Sequence, residues 1–188
     1  MKQLIIAFAI LLTFVYAQTA FAQQPSLVVS MPPVSATPVP TIDYALPYPG
    51  LLADNPLYPL KTLRDNIVGW MIRDPLKKSA FDLLQADKRL EGGAFLIQQN
   101  PSKFSLALST ISKGDNYFSQ AVDKVIEAKK EGMVIADLMR KLNTASLKHE
   151  EVLKTLESQV SGNNKAGIKF EEKRVADIHQ QLMLLLPK

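Results

Sequence analysis

Three polar residues occupy positions where the helical pattern of the sequence calls for a large apolar side chain: Asp87, Asp115 and His149. Carboxylate and imidazole groups bind divalent metals in helical bundles, and they move protons in enzymes. A carboxylate that is buried without a partner is costly, so such groups need hydrogen-bond partners or a cation inside a protein. These three residues are therefore the first candidates for chemistry in the chain.

Three hypotheses account for these residues. In the first, they form a polar layer that satisfies itself, either with a protonated His149 between the aspartates or with Lys88, Arg89 and Tyr117 reaching in. In the second, Asp87, Asp115 and His149 bind a divalent metal ion, and in the third the three positions face solvent. We favour the first, because polar networks are commoner inside bundles than metal sites, and it requires no cofactor.

Other catalytic patterns are missing from the sequence. The chain has no cysteine, which excludes disulfides, Cys-ligated zinc, iron–sulfur clusters and thiol catalysis. A zinc-protease helix needs a second histidine four residues after His149, where Leu153 stands. No Gly-x-Ser-x-Gly motif, Gly-rich phosphate loop or Glu-x-x-His pair of a di-iron bundle occurs. The sequence therefore predicts a protein that is not an enzyme.

Length, composition and charge favour one helical domain with ordinary surfaces. The 188 residues are 47% hydrophobic, and 22 basic against 18 acidic residues give a net charge of +4. The basic residues alternate with acidic ones along the helices, which is typical of a solvated face and argues against nucleic acid as a partner. An envelope protein or an anionic envelope polymer is the partner that we expect.

Hydrophobic periodicity predicts an all-α fold. Leu60, Leu63, Ile67 and Trp70 define a short helix that should end near Arg73. Turn and capping signals then separate four long helices, at 75–99, 101–131, 133–160 and 165–186. We expect these to form an antiparallel bundle of four long helices, preceded by the short helix, within a domain at 60–186.

The same pattern places the three polar residues at a common level. Asp87 lies 13 residues before the turn at Asn100 and Asp115 lies 15 after it, a mismatch of about 3 Å along the helix axis. Asp115 and His149 each lie 17 residues from Gly132. On the fourth helix, Glu171 has the right phase but lies too near its turn, and Asp177 has the right height but the wrong phase.

Glycines interrupt two of the predicted helices, at Gly92, Gly93 and Gly114. Each costs about 1 kcal/mol relative to alanine in a helix interior. Either this flexibility is tolerated, or the glycines permit a close approach between helices near the middle of the bundle.

The first sixty residues predict export and a spacer. Residues 1–22 read as a signal peptide: Lys2, an apolar run over residues 4–17, and Ala20-Phe21-Ala22 as the cleavage site. An uncleaved anchor is the alternative, and after cleavage no later stretch is apolar enough to span a membrane. Residues 23–43 read as a Pro-rich disordered linker. Residues 44–59, hereafter the strap, combine prolines with tyrosines and leucines and should lie extended in a groove of the bundle.

Several segments resemble a bacterial family, the domain of unknown function 5667, which comprises exported helical proteins. They are residues 46–61 (LPYPGLLADNPLYPLK), 74–78 (DPLKK), 86–90 (ADKRL), 113–115 (KGD) and 147–153 (LKHEEVL). The resemblance extends from about Tyr44 to Leu156. It implies an exported helical architecture, and it implies no enzymatic activity because the family has none assigned.

Together these observations predict an exported, non-catalytic helical-bundle module of the cell envelope with an interaction or structural role. The alternative is a bundle that binds a metal or small ligand through Asp87, Asp115 and His149.

Overall fold

The structure is a computed structural model that describes residues 42–185. These residues form five α-helices and one 3-10 helix, and within this range there is no β-strand, which confirms the predicted all-helical class. The helices are α1 (Tyr58–Met71), α2 (Pro75–Gln99), α3 (Phe104–Lys130), α4 (Ala136–Gln159) and α5 (Asn163–Leu185), with the 3-10 helix at Pro101–Lys103. The predicted signal peptide, and the predicted linker up to residue 41, lie outside the described residues.

The helix boundaries follow from local capping. The side chain of Asp74 accepts a hydrogen bond from the Lys77 amide (3.0 Å) with Pro75 as the first helical residue, as predicted for the start of α2. At the end of α3, Gly132 has φ +77°, and the amide of Met133 donates to the Ala128 carbonyl (3.0 Å). This arrangement closes a helix with a left-handed glycine and redirects the chain.

Three of the long helices begin at residues that differ from the predicted ones. Pro101–Lys103 form a 3-10 turn, so α3 begins at Phe104 instead of residue 101. The chain needs residues 133–135 to leave the glycine turn, so α4 begins at Ala136. In contrast, α5 begins two residues early, at Asn163, directly after Gly162 at φ +60°. These shifts of two or three residues alter the relative heights of side chains on neighbouring helices.

The long helices pack as a bundle. Helix α2 packs along α3 and α4 packs along α5, while α3 also contacts α5 and α2 contacts α4. Glycines permit the close approach of α2 and α3: a Cβ atom on Gly93 would lie 2.4 Å from Cγ1 of Ile111. A Cβ atom on Gly114 would lie 3.1 Å from the carbonyl oxygen of Ala86. The close-approach interpretation is therefore confirmed for these two positions.

The interior consists of two apolar clusters, and the predicted polar positions of α2, α3 and α4 lie between them along each helix. The first cluster includes Leu83, Phe118, Val122, Leu142, Ala145, Ile178 and Leu182. The second includes Leu90, Ile97, Phe104, Ile111, Leu153, Leu156, Ile168 and Val175. Ala80 of α2 is exposed, and the buried position beside it belongs to Ser79, whose hydroxyl donates to the Ala121 carbonyl (2.6 Å).

One side of the strap packs against the bundle. Tyr44 packs against the first apolar cluster, and Leu46 and Leu52 pack against the second. Pro49 is buried, and Lys61 of α1 donates to its carbonyl oxygen (2.6 Å). The apolar residues on its other side, Tyr48, Leu51 and Leu57, are exposed.

Helix α1 contacts α2 through a narrow side that contains its only buried residues, Asp65 and Gly69. Its predicted apolar stripe faces outward. Among the described helices, none is long and apolar enough to cross a membrane.

Candidate functional site

Asp87, on α2, joins three parts of the chain. Its Oδ1 atom lies 2.9 Å from Nε2 of His149 on α4. Its Oδ2 atom accepts a hydrogen bond from the hydroxyl of Tyr44 in the strap, at 2.6 Å. Asp87 is only 3% exposed, so both bonds form in an environment with little competing water. A single carboxylate therefore holds α2, α4 and the strap together, and we call Tyr44, Asp87 and His149 the Asp87 network.

His149 is completely buried and contacts an aromatic ring of the neighbouring helix α3. The ring of Phe118 on α3 meets it edge-on, with ring centroids 4.8 Å apart and an angle of 72° between the planes. Its Nδ1 atom has no hydrogen-bond partner among the described residues. The tautomer with its proton on Nε2 fits these contacts, because it donates to Asp87 and leaves only a lone pair unpaired.

Tyr44 acts as a hydrogen-bond donor in this network. Burial raises the pKa of its hydroxyl well above the ordinary value, and the negative charge of Asp87 raises it further. The phenol therefore keeps its proton at every physiological pH. Two residues earlier, the amide of Ile42 donates to Oε2 of Glu151 (2.8 Å), so the strap is fixed to α2 and α4 at its beginning.

Asp115, on α3, has a different neighbourhood. It is completely buried, and neither of its oxygens accepts a hydrogen bond from a described donor. Its neighbour is the buried carboxyl group of Glu171 on α5, which in turn bonds Nη1 of Arg174 at 2.7 Å. Arg174 also donates to Oγ of Ser112 (3.0 Å) and to Oδ1 of Asn116 (2.6 Å), which ties α5 to α3.

The position of Asp115 beside Glu171 favours the protonated form of Asp115. Burial raises the pKa of Asp115 well above its ordinary value, and the adjacent Glu171 carboxyl raises it further, whereas the Arg174 charge opposes the shift. Two carboxyl groups at such close range avoid repulsion when one of them is protonated and donates to the other. Asp115 is therefore best satisfied as a neutral acid that donates to Glu171.

This pKa shift predicts how stability changes with pH. The native state binds the Asp115 proton more tightly than the unfolded chain, so its contribution to stability is full below the unfolded value of 3.8 and is lost as the pH rises toward the native pKa. Asp115→Asn mimics the neutral acid and removes this loss. The variant should gain stability relative to the wild type as the pH rises above 3.8. Urea unfolding at each pH measures the difference, and a difference that stays flat or shrinks with rising pH would contradict this account.

The three sequence hypotheses can now be compared with the structure. Asp87, Asp115 and His149 are all buried, so the interpretation that they face solvent is wrong. The polar side chains form two separate pairs, Asp87 with His149 and Asp115 with Glu171, instead of one layer. Within residues 42–185, no group of three or more His, Asp or Glu side chains is arranged to hold a metal ion. The predicted metal site at these residues stays a prediction.

Arg89 and Tyr117, two of the side chains proposed to reach the aspartates, bond elsewhere. Arg89 donates to Oε1 of Gln85 (2.9 Å), and its guanidinium group lies 4.2 Å from the ring centroid of Tyr117. The hydroxyl of Tyr117 donates to Asn66 of α1 (3.2 Å). Tyr44 was not identified from the sequence as a partner of Asp87. The available signal was the position of this tyrosine in an apolar segment, because a phenol that packs against a protein needs a hydrogen-bond acceptor.

A second histidine also lies beside a hydroxyl group. Nδ1 of His179 on α5 is 2.8 Å from Oγ of Ser146 on α4, and this hydroxyl donates to the Asn143 carbonyl (2.7 Å). Because the serine proton is already used, the histidine donates to the serine instead of accepting from it. Ser146 is also completely buried. The pair therefore lacks the arrangement of an activated nucleophile.

The surface cavities lie away from these polar groups. One cavity of about 480 Å³ is lined by residues that include Ile97, Phe104 and Val160. Another of about 480 Å³ is lined by residues that include Met133 and Met139. The side chains that line these two cavities do not include Asp87, Asp115 or His149. A substrate held in these cavities would not contact the buried polar groups.

The predicted resemblance to the domain of unknown function 5667 stays a prediction. Comparisons of the chain with known protein families, with curated proteins and with solved structures found no match.

Proposed function

We propose that the chain is an exported, non-catalytic helical-bundle module of the cell envelope, with an interaction or structural role. The observation that carries this proposal is the use of both Asp87 oxygens within the fold, one by His149 and the other by Tyr44. A catalytic carboxylate must be free to meet a substrate, whereas this one is enclosed and bonded. The leader predicted for residues 1–22 supports export.

In this proposal, the four long helices follow an antiparallel order. Ser79, early in α2, bonds Ala121, late in α3, while Gly93, late in α2, approaches Ile111, early in α3. Opposed numbering of this kind is what two antiparallel helices produce. The connections 100–103, 131–135 and 160–162 are three to five residues long, which suits helices that are neighbours in space.

The alternative function is metal or small-ligand binding through Asp87, Asp115 and His149. One observation favours it: Nδ1 of His149 and both oxygens of Asp115 are buried without hydrogen-bond partners among the described residues. Unpaired buried acceptors of these types are the groups that a divalent cation would bind. The enclosure of Asp87 by Tyr44 opposes it, because a metal would have to displace the phenol.

A metal titration separates the two functions. The chain, stripped with a chelator, should keep the same melting temperature when Zn²⁺, Mn²⁺ or Fe²⁺ is added, because nothing that binds the native state has been supplied. A gain in melting temperature that His149→Ala abolishes would establish the alternative and overturn the proposal. His179→Ala is the matched control, since it removes the other histidine and so detects ion binding by imidazole outside the Asp87 network.

A further inference from the structure

Helix α1 presents a continuous apolar face to solvent. Leu60, Leu63, Ile67 and Met71 are each more than half exposed, and Trp70 is 85% exposed. These residues recur at intervals of three and four, so they lie on one side of the helix. Exposed apolar residues are common when scattered, whereas a contiguous stripe of this size on one helix marks an interaction surface.

The opposite side of α1 is fixed to the bundle, which holds the apolar face outward. Gly69 lies against Phe81 of α2, since a Cβ atom there would be 3.1 Å from the Phe81 ring. Asn66 accepts the hydrogen bond from Tyr117 of α3. Asp65 is buried and bonds Arg64 at 2.7 Å. Rotation of α1 to bury its leucines would break the contacts that Gly69 and Asn66 make with the bundle.

The surroundings of this face are cationic. Residues 57–78 carry five basic and two acidic side chains, against a net charge of +4 for the whole chain. Asp65 pairs with Arg64, Lys78 pairs with Asp82, and Asp74 caps α2. The cations of this segment without a carboxylate partner among the described residues are therefore Lys61, Arg73 and Lys77. Arg73 and Lys77 are exposed beside the end of the helix. The groove of about 430 Å³ between α1 and the strap is also lined by cationic side chains, those of Lys61, Arg64 and Lys88.

We propose that the outer face of α1 docks on a membrane surface that carries anionic lipid headgroups. An amphipathic helix with Trp and Leu on one face and basic residues at its borders lies in the interface of such a membrane, with the apolar side chains among the acyl chains. Tryptophan in particular favours the headgroup level. This inference rests on the proposed envelope function and names the class of partner for it.

Charge complementarity distinguishes a lipid surface from a second copy of the chain. Two copies that paired through α1 would bring two cationic borders together, which costs free energy. An anionic bilayer places opposite charge beside each border and accepts the stripe at the same time. The lipid surface is therefore the occupant that satisfies both the apolar residues and the charges.

The experiment uses the fluorescence of Trp70, the only tryptophan in the chain. When the full chain is mixed with vesicles of phosphatidylglycerol and phosphatidylcholine, Trp70 emission should move to shorter wavelength, and lipids brominated on their acyl chains should quench it. Vesicles of phosphatidylcholine alone should produce a much smaller change. Binding should also weaken with salt, because the screening length falls from about 10 Å at 0.1 M to about 3 Å at 1 M.

Two variants test the face itself. Ile67→Glu should weaken vesicle binding by at least about tenfold, the factor that corresponds to removing one buried aliphatic side chain. Phe170→Glu is the matched control, because Phe170 is comparably exposed but lies on α5, and its vesicle binding should be unchanged. Circular dichroism and thermal melting verify that each variant is folded.

Three results would overturn the proposal. The first is a Trp70 emission spectrum that does not shift when anionic vesicles are added. If the chain binds the vesicles without that shift, the binding belongs to another segment. The second is an equal loss in Phe170→Glu. The third is a shift that needs no vesicles and grows with protein concentration, which assigns the face to a second copy. Each of these leaves the proposed non-catalytic role intact, because the metal titration tests that role separately.

Discussion

Asp87→Ala is expected to destabilise the protein by about 2–5 kcal/mol, the largest effect of any single substitution considered for this chain, because it removes the acceptor of two hydrogen bonds. The substitution removes the acceptor of two donors, the hydroxyl of the half-buried Tyr44 and the buried Nε2 of His149. Nε2 of His149 would then be unpaired where water cannot replace the carboxylate, and Tyr44 would lose its bond to the bundle. Chemical denaturation followed by far-ultraviolet circular dichroism measures the loss.

Asp115→Asn is the matched control for this prediction. Asp115 is as deeply buried as Asp87 and lies on the neighbouring helix, but its oxygens accept no hydrogen bond from the described residues. The asparagine can donate to Glu171 as the protonated acid does, so stability near neutral pH should be higher than that of the wild type. Losses of similar size in both variants would mean that the two aspartates share one function, contrary to the separation into two pairs.

Gly93→Ala is expected to destabilise the protein by about 1–3 kcal/mol, although alanine is the better helix former. The added Cβ atom would lie 2.4 Å from Cγ1 of Ile111 and 3.0 Å from the carbonyl oxygen of Ala107. The carbonyl belongs to the α3 backbone, so α2 and α3 must move apart and the packing on both sides of Gly93 loosens.

The adjacent glycine provides the control, with the opposite sign. A Cβ atom on Gly92 would lie 3.5 Å from Cβ of Pro49 and 3.8 Å from Cδ2 of Leu52, which are ordinary contact distances. Gly92→Ala should therefore stabilise the protein by up to about 1 kcal/mol through helix propensity. Urea unfolding of both variants measures the pair, and effects of the same sign would show that α2 does not approach α3 as closely as described.

The helices were predictable because their signals are local. Asp74 followed by Pro75 caps α2 through atoms within three residues of each other, so the sequence alone contains the required information. The periodicity of α2 likewise identified Asp87 as an interior residue, and it is 3% exposed. Patterns of this kind report which face of a helix is buried, and they do so without knowledge of its neighbours.

The partners of the polar residues were less predictable, because they depend on the residue at which each loop ends and the next helix begins. Asp115 lies eleven residues into α3 and Glu171 lies eight residues into α5. Helix starts at the predicted residues 101 and 165 make the difference between these two distances much larger. With those starts, Glu171 lies too near its turn to reach the level of Asp115. Each residue that shifts a helix start changes the height of every side chain by about 1.5 Å. Tyr44 was missed for a similar reason, since no local rule gives the path of the strap.

Helix α1 shows a further limit of periodicity. Its stripe, Leu60, Leu63, Ile67 and Trp70, was identified correctly as one helical face, but the pattern does not state what that face contacts. In α2 the corresponding stripe is buried, whereas in α1 it is exposed. The orientation of α1 depends on contacts on its opposite side, at Asp65 and Gly69. These residues are not large and apolar, so the hydrophobic pattern does not identify them as buried.

A double-mutant cycle on Tyr44 and Asp87 tests most directly whether a buried carboxylate fixes the strap to the bundle. The free energies of unfolding are measured for the wild type, Tyr44→Phe, Asp87→Ala and the double variant. A phenol that donates to a buried carboxylate should couple to it by about 1.5–3 kcal/mol, so Tyr44→Phe should cost little once Asp87 is gone. Additive effects, with a coupling energy below about 0.5 kcal/mol, would contradict the account.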